Sequence, residues 1–253
     1  MGYPVLWQFK YSHYNEKVRW ALDYKRVRHI RRSLLPGAHI IPVLWMTGQK
    51  AVPVLQLDGR AIADSTRIIA AIEEAYPTAP LYPLEEAQRR RALELEEFFD
   101  EQLGPHLRTA WFYEVLPYAD YSSAQLTVGF SSFAQRLYRM MFPVVRAIMS
   151  FDMGINATNA ATGRAKATEA LDRLEAELQP SGYLVGETFT VADLTAAALF
   201  SPLVMPSQFS YPLIDPPPPA AAYRESLASR RGFQWVLDMY RQHRGVSAEA
   251  QPD

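Results

Sequence analysis

Ser12-His13-Tyr14-Asn15-Glu16-Lys17-Val18-Arg19-Trp20-Ala21-Leu22 decides how the rest of this 253-residue chain is read. The apolar run before it, Val5-Leu6-Trp7-Gln8-Phe9, reads as a first β-strand, and from Tyr14 onward the spacing is helical. Tyr14, Val18, Ala21 and Leu22 share one face; Glu16, Lys17, Arg19 and Asp23 lie on others. Ser12 therefore stands where a strand ends and a helix begins, beside free backbone N–H groups and the positive end of a helix dipole. That place suits a helix cap, and it equally suits the stabilisation of an anion.

Working outward, Val52-Pro53-Val54-Leu55 puts a proline at the start of an apolar strand, where it presents an edge or a cis bond. Asp58-Gly59 between two short apolar runs signals a tight antiparallel hairpin. Ala63-Asp64-Ser65-Thr66, followed by Ile68, Ile69, Ile72 and Tyr76, is a second strand-to-helix junction with capping residues. Far along the chain, Thr190 and Asp193 have the spacing of a capping box, with Phe189 and Leu194 placed for a hydrophobic staple.

The pattern changes near Tyr76. Residues 1–78 read as one α/β unit and 79–86 as a linker carrying Pro80 and Pro83; 87–245 read as an all-helical unit and 246–253 as a disordered polar tail. The segment 35–42, with two prolines and a glycine, predicts no regular helix before residue 42. Helices are expected over 85–104, over 123–150 with a kink at Pro143, over 160–178, from 191 and over 233–243. Met205 to Pro219 holds six prolines and predicts an ordered surface loop or a flexible cover.

Hydrophobic residues make up 49% of the chain and charged residues 21%, with a formal net charge of −1, a balance that argues against global disorder. Nothing in it points to nucleic acid or an anionic membrane. The basic run from Lys25 to Arg32 then reads as a helix end and an edge strand guarded by charge. With Cys 0 there is no disulfide, no thiolate metal site and no thiol nucleophile in the protein itself. His106 stands alone and no His-Glu-x-x-His pattern exists, so no metal is expected. No secretory signal, myristoylation pattern or membrane-length apolar run is visible, and a cytoplasmic location is the expectation.

Taken in order, these motifs resemble the cytosolic glutathione transferase superfamily over nearly the whole chain. SHYNEKVRWAL resembles that family's first helix, AVPVL its cis-proline strand, ADS its acidic-serine clamp and FTVADL its structural capping box. The resemblance implies a thioredoxin-like N-terminal α/β domain and an all-α C-terminal domain. It further implies a homodimer that uses glutathione as co-substrate in the detoxification of hydrophobic electrophiles. Ser12 would donate to the glutathione thiol, with Asn15, Tyr11 and Tyr14 as rivals. Val52 and Pro53 would pair with the tripeptide backbone, and Asp64 and Ser65 would hold its γ-glutamyl end. The family often carries Lys or Gln directly before the Val-Pro pair. This chain has Ala51, leaving Lys50, Gln49 or His39 to meet the glycyl carboxylate. Trp111, Tyr113, Tyr138 and Met141 would line an electrophile pocket. The alternative is a fold kept for binding glutathione or apolar ligands without turnover. The absence of cysteine excludes dithiol exchange.

Overall fold

The computed structural model describes residues 2–250. Its first part alternates β1 (Val5–Gln8), α1 (His13–Tyr24), β2 (Ile30–Ser33), α2 (Ile40–Thr47), β3 (Val54–Leu57), β4 (Arg60–Ala63) and α3 (Ser65–Ala75). The four strands form one mixed sheet in the order β2-β1-β3-β4. β1 runs parallel to β2, with Val5 opposite Ile30, and antiparallel to β3, with Leu6 opposite Leu55. The β3–β4 hairpin turns on Asp58 and Gly59 at φ 48° and 78°, the paired positive φ values that a two-residue primed turn requires. Together these make the small α/β layer expected from the sequence.

α2 corrects one expectation, since it starts at Ile40 and not after residue 42. Pro42 is its third residue, where a backbone N–H would have no intrahelical acceptor, so the proline is tolerated. The 79–86 segment is tied to both halves of the molecule. Lys25 Nζ donates to the Thr78 and Ala79 carbonyls and to Glu73 at 2.6 Å, while Val191 N donates to the Leu81 carbonyl.

The remaining helices are α4 (Glu86–Phe98), α5 (Gly104–Val115), α6 (Ala119–Leu126), α7 (Ser132–Asp152), α8 (Ala157–Glu177), α9 (Val191–Val204), α10 (Pro218–Ala228) and α11 (Arg231–His243). A π-helical turn, Phe99–Leu103, joins α4 to α5 without a break. The helix expected over 123–150 is in fact two, parted at 127–131 where Gly129 takes φ 77°. α9 is apolar on all sides and is buried accordingly, packed against α1, α4, α5 and α11. Its capping box is complete: Asp193 accepts from Thr190 N at 2.8 Å, and its other oxygen accepts from Leu184 N at 2.8 Å.

α1 is the structural surprise. Its apolar face is buried, and so are Glu16, Lys17, Arg19 and Asp23. Lys17 pairs with Glu96 at 2.8 Å and with Asp100 of the π turn. Glu16 sits between Arg19 (2.8 Å) and Arg244 (2.6 Å); Asp23 sits between Arg31 (2.6 Å) and Arg244 (2.9 Å). Burial alone would raise both carboxyl pKa values, yet the guanidinium groups beside them pull both below the ordinary carboxylate range.

Part of the basic run is used by the fold, with Lys25 holding the linker and Arg31 holding Asp23, while the exposed Arg28 and Arg32 lie over Tyr3 and Trp7. The tail also departs from expectation. Ala248 N donates to Asp23 at 2.8 Å and Ala250 N to the His29 carbonyl at 2.8 Å, so the chain is ordered against the start of β2. Edge backbone next to β2 and the buried Asp23 carboxylate give this polar segment partners that its composition does not reveal. The last residues of the expected tail, 251–253, lie outside the described residues.

Removing one partner of a buried ion cluster leaves uncompensated charge. Arg244→Ala is expected to cost about 3–5 kcal/mol, read as a lower urea midpoint. A Glu16→Gln, Arg244→Met double variant is expected to lose less than the sum of its singles, and strict additivity would contradict a shared cluster.

Candidate active site

A cleft of about 320 Å³ opens where the end of β1 and the start of α1 face α5, α6 and the end of α7. The α/β layer contributes Ser12, His13, His39, Lys50, Ala51 and Val52. The helices contribute Arg108, Trp111 and Phe112 from α5, Tyr121 and Gln125 from α6, and Met149 and Asp152 from α7. Phe209 and Leu213, from the segment between α9 and α10, close one side.

Ser12 caps α1 in extended backbone geometry at φ −85° and ψ 127°. Its Oγ accepts from Asn15 N at a long 3.5 Å, which leaves the hydroxyl proton free for a ligand in the cleft. Two of the three rivals are committed elsewhere. Tyr11 Oη donates to the Pro212 carbonyl at 2.7 Å, and Tyr14 Oη to the Asp100 carbonyl at 2.6 Å. Burial raises both phenol pKa values, that of Tyr11 to about 12. The Asn15 side chain is wholly buried and has no hydrogen-bond partner among the described residues. Gly104 lets α5 come this close to α1, since an added Cβ would lie 2.1 Å from Tyr14 Oη.

His13 is 3% exposed, so it is a packed residue lining the cleft. Burial, reinforced by the Arg108 charge, pulls its pKa down to about 3 against a hydrogen bond to the Gly104 backbone. The ring is neutral, and its Nε2 has no partner among the described residues.

Opposite Ser12, the Val52–Pro53 bond is cis, and Val52 makes no hydrogen bond within the described chain. Lys50 reaches the cleft and pairs with Asp152 of α7. His39 also lines it, edge-on to Phe9 at 4.6 Å, with its pKa lowered chiefly by burial. Gln49 does not line it, because its amide folds back onto the Ala51 backbone. Asp64 and Ser65 lie outside the cleft, at the start of α3. Asp64 accepts from Arg67 N at 3.0 Å and takes φ 78°, an unfavourable angle for a side chain with a Cβ.

The helical wall differs from the sequence reading. Trp111 lines the cleft, but Tyr113 is 37% exposed and lies outside it. Tyr138 is buried in a small cluster with Phe142 and Leu116, and Met141 is 46% exposed. α7 meets the cleft through its last turns at Ile148, Met149 and Asp152, with Met153 just after it, beginning about two turns beyond the Tyr138–Met141 stretch. Arg108, Tyr121, Gln125 and Phe209 carried no sequence signal of a site. Arg108 lies three residues before Trp111, one turn along the same helix face, and that spacing is the one cue that could have found it.

The segment 205–217 is ordered by contacts across this region. Gln8 Nε2 donates to Tyr211 Oη at 2.6 Å, Ile214 N to Gln125 at 3.0 Å, and Ser210 Oγ to Glu16 at 3.0 Å. Among the described residues no cluster of His, Asp or Glu can hold a metal ion, and no helix is long and apolar enough to cross a membrane.

Residues 6–80 match the model of the glutathione S-transferase N-terminal domain, and residues 155–226 that of the C-terminal domain. The chain belongs to the glutathione S-transferase superfamily. Structural neighbours agree on the fold. A glutathione S-transferase from Xanthobacter autotrophicus Py2 superposes with TM-score 0.64 at 18% identity, covering 96% of this chain and 95% of that one. One from Methylobacterium radiotolerans, in complex with glutathione sulfonate, gives TM-score 0.57 at 20% identity, covering 93% and 95%. In sequence, 110 residues are 26% identical to maleylacetoacetate isomerase of Dictyostelium discoideum, covering 40% of this chain and about half of that relative (48%). A glutathione-related enzyme is the level of function that this membership supports.

The neutral histidine gives this transferase fold a measurable acid sensitivity. The unfolded chain takes up a proton on His13 near pH 6.5, while the folded chain resists until about pH 3. Between those values the unfolded state binds more protons, so stability falls on acidification, by up to about 1.4 kcal/mol per pH unit for this group. His29, lowered by burial to about 4, adds in the same direction. His13→Gln is expected to flatten the pH dependence of the urea midpoint between pH 6.5 and 4. An unchanged slope would mean that His13 titrates freely in the fold.

Proposed function

We propose that this protein binds glutathione in the cleft, ionises its thiol beside Ser12 and directs the thiolate at a hydrophobic electrophile held against α5, α6 and α7. The observation that carries this reading is the Ser12 hydroxyl, capping α1 with its proton unspent, at the floor of a cleft whose other wall is the unpaired Val52 backbone. A free cysteine thiol has a pKa of about 8.5, so glutathione is mostly protonated at neutral pH. Lowering that value by two units takes about 2.7 kcal/mol of preference for the thiolate. One charge-assisted hydrogen bond and the positive end of a helix are of that size.

The tripeptide backbone adds to the edge at Val52 in the manner of an extra strand. Its γ-glutamyl end lies toward α3, where Ser65 supplies an N–H and a hydroxyl and Asp64 meets the ammonium group. Lys50, which pairs with Asp152, turns from it to the glycyl carboxylate, because Gln49 is occupied with Ala51 and His39 is biased to its neutral form. The bound thiolate attacks an electrophilic carbon, forming a C–S bond, and the displaced electron pair leaves with the leaving group or takes a proton after addition. The apolar wall of Trp111, Phe112 and Met149 supports a permissive apolar substrate.

A second copy of the chain is the proposed partner. Phe133, Leu137, Met140, Met141, Val144 and Phe151 form an outward stripe on α7, each 44–91% exposed. Aromatic side chains bury about 150–250 Å² each, so two of them with four aliphatic neighbours supply area on the scale of the roughly 800 Å² that a stable partner contributes. A two-fold axis lets this stripe cover itself. Light scattering on the eluting protein is expected to give a dimer mass, with Met140→Glu and Phe151→Glu shifting it to the monomer. A wild-type monomer would reject this surface.

Ser12→Ala is expected to slow turnover about tenfold to a thousandfold, a loss of about 1.4–4 kcal/mol, with little change in glutathione affinity. The pH at which kcat/KM rises should move upward in the variant. An unchanged profile would remove Ser12 from the role.

A further inference from the structure

Among the described residues, Arg108 is the one charged side chain of the cleft that has no partner in the fold. It lies on α5, one turn before Trp111, and lines the same wall. No carboxylate lies within ion-pair distance of it among the described residues, and its Nε is buried without a hydrogen-bond partner. The other cations of the cleft are accounted for. Lys50 is paired with Asp152, and Lys10 donates to the Val128 carbonyl at 2.7 Å between the rings of Phe130 and Tyr211.

A guanidinium facing largely apolar walls with a buried, unpaired N–H is costly unless the occupant of the cleft supplies its partner. The neighbouring His13 is held neutral, so it neither repels an incoming anion nor serves as a counter-ion. Tyr121 and Gln125, across the cleft on α6, are polar groups without charge that can hydrogen-bond to the same occupant.

We infer that Arg108 is a specificity-determining residue, and that the favoured electrophile is an apolar molecule bearing a carboxylate. The guanidinium takes the carboxylate as a forked pair of charge-assisted hydrogen bonds, while the apolar body lies against Trp111, Phe112 and Met149. This anchors the electrophile by its anionic end on α5 and leaves its reactive carbon toward Ser12. The inference rests on reading the cleft as the electrophile site, but it does not require thiol activation, so the two can fail separately.

The test is calorimetric titration, without glutathione, of the wild-type protein with 2-naphthoate and with its neutral isostere 2-naphthamide. The wild-type protein is expected to bind the carboxylate about tenfold to a hundredfold more tightly. Arg108→Gln should abolish that preference while binding 2-naphthamide as before, which also shows that the variant is folded. Arg108→Lys should keep part of the preference. Equal affinities in the wild type, no naphthoate binding, or a preference that survives Arg108→Gln would each overturn the inference. So would an Arg108→Gln protein that keeps its naphthoate preference and loses affinity for glutathione, because the anion held by Arg108 would then be glutathione's own.

Discussion

α1 is buried on all of its faces while carrying Glu16, Lys17, Arg19 and Asp23, and the segments that lie against these four residues bring them partners of opposite charge. α4 and the π turn bring Glu96 and Asp100 for Lys17. The residue after α11 brings Arg244 for Glu16 and Asp23 together, and β2 brings Arg31. The segment 205–217 brings Ser210, which donates to Glu16 and accepts from Arg244. Buried ions are expensive to leave unpaired, so this network fixes the relative positions of parts that are distant in sequence more sharply than apolar contact alone would. Apolar packing still supplies the bulk of the burial, through the wholly enclosed α9 and the sheet face beneath α1.

That constraint reaches the site directly. The free N–H groups of α1 and the Ser12 hydroxyl can act on a ligand only while the helix is held still and its first turn faces open space. The network grips α1 from Glu16 onward and leaves the turn before it facing the cleft. The same network orders Ser210, and Gln8 holds Tyr211, so the proline-rich segment closes one wall of the cleft. Its prolines reduce the entropy lost in keeping that segment ordered. Asp64, at a positive φ, is a place where the fold accepts strain at the start of α3.

What the sequence disclosed was local chemistry. Ser12, Asp64 and Thr190 are legible because helix caps need particular side chains at particular places, and Asp58-Gly59 because a primed turn needs two positive φ values. Val52-Pro53 stood out through proline. What stayed hidden depends on partners far away in the chain. Lys17 and Arg19 carry the charges of a solvated face, and nothing local announces Asp100 or Arg244. The tail reads as disordered by composition, yet it finds β2 and Asp23. The Tyr138–Met141 stretch has the residue types of a pocket, but the rotation and reach of α7 bring Met149 to the cleft and turn Met141 outward. Arg108 lacked a signal because an unpaired charge is defined by what does not surround it.

In the proposed function the start of α1 converts a bound thiol to a thiolate. Ultraviolet absorbance of the protein–glutathione complex across pH measures this directly, since the thiolate absorbs where the thiol does not. Bound glutathione is expected to ionise near pH 6–7, about two units below the free thiol. A complex whose thiol ionises at the value for free glutathione would contradict it and leave a binding protein of the same fold.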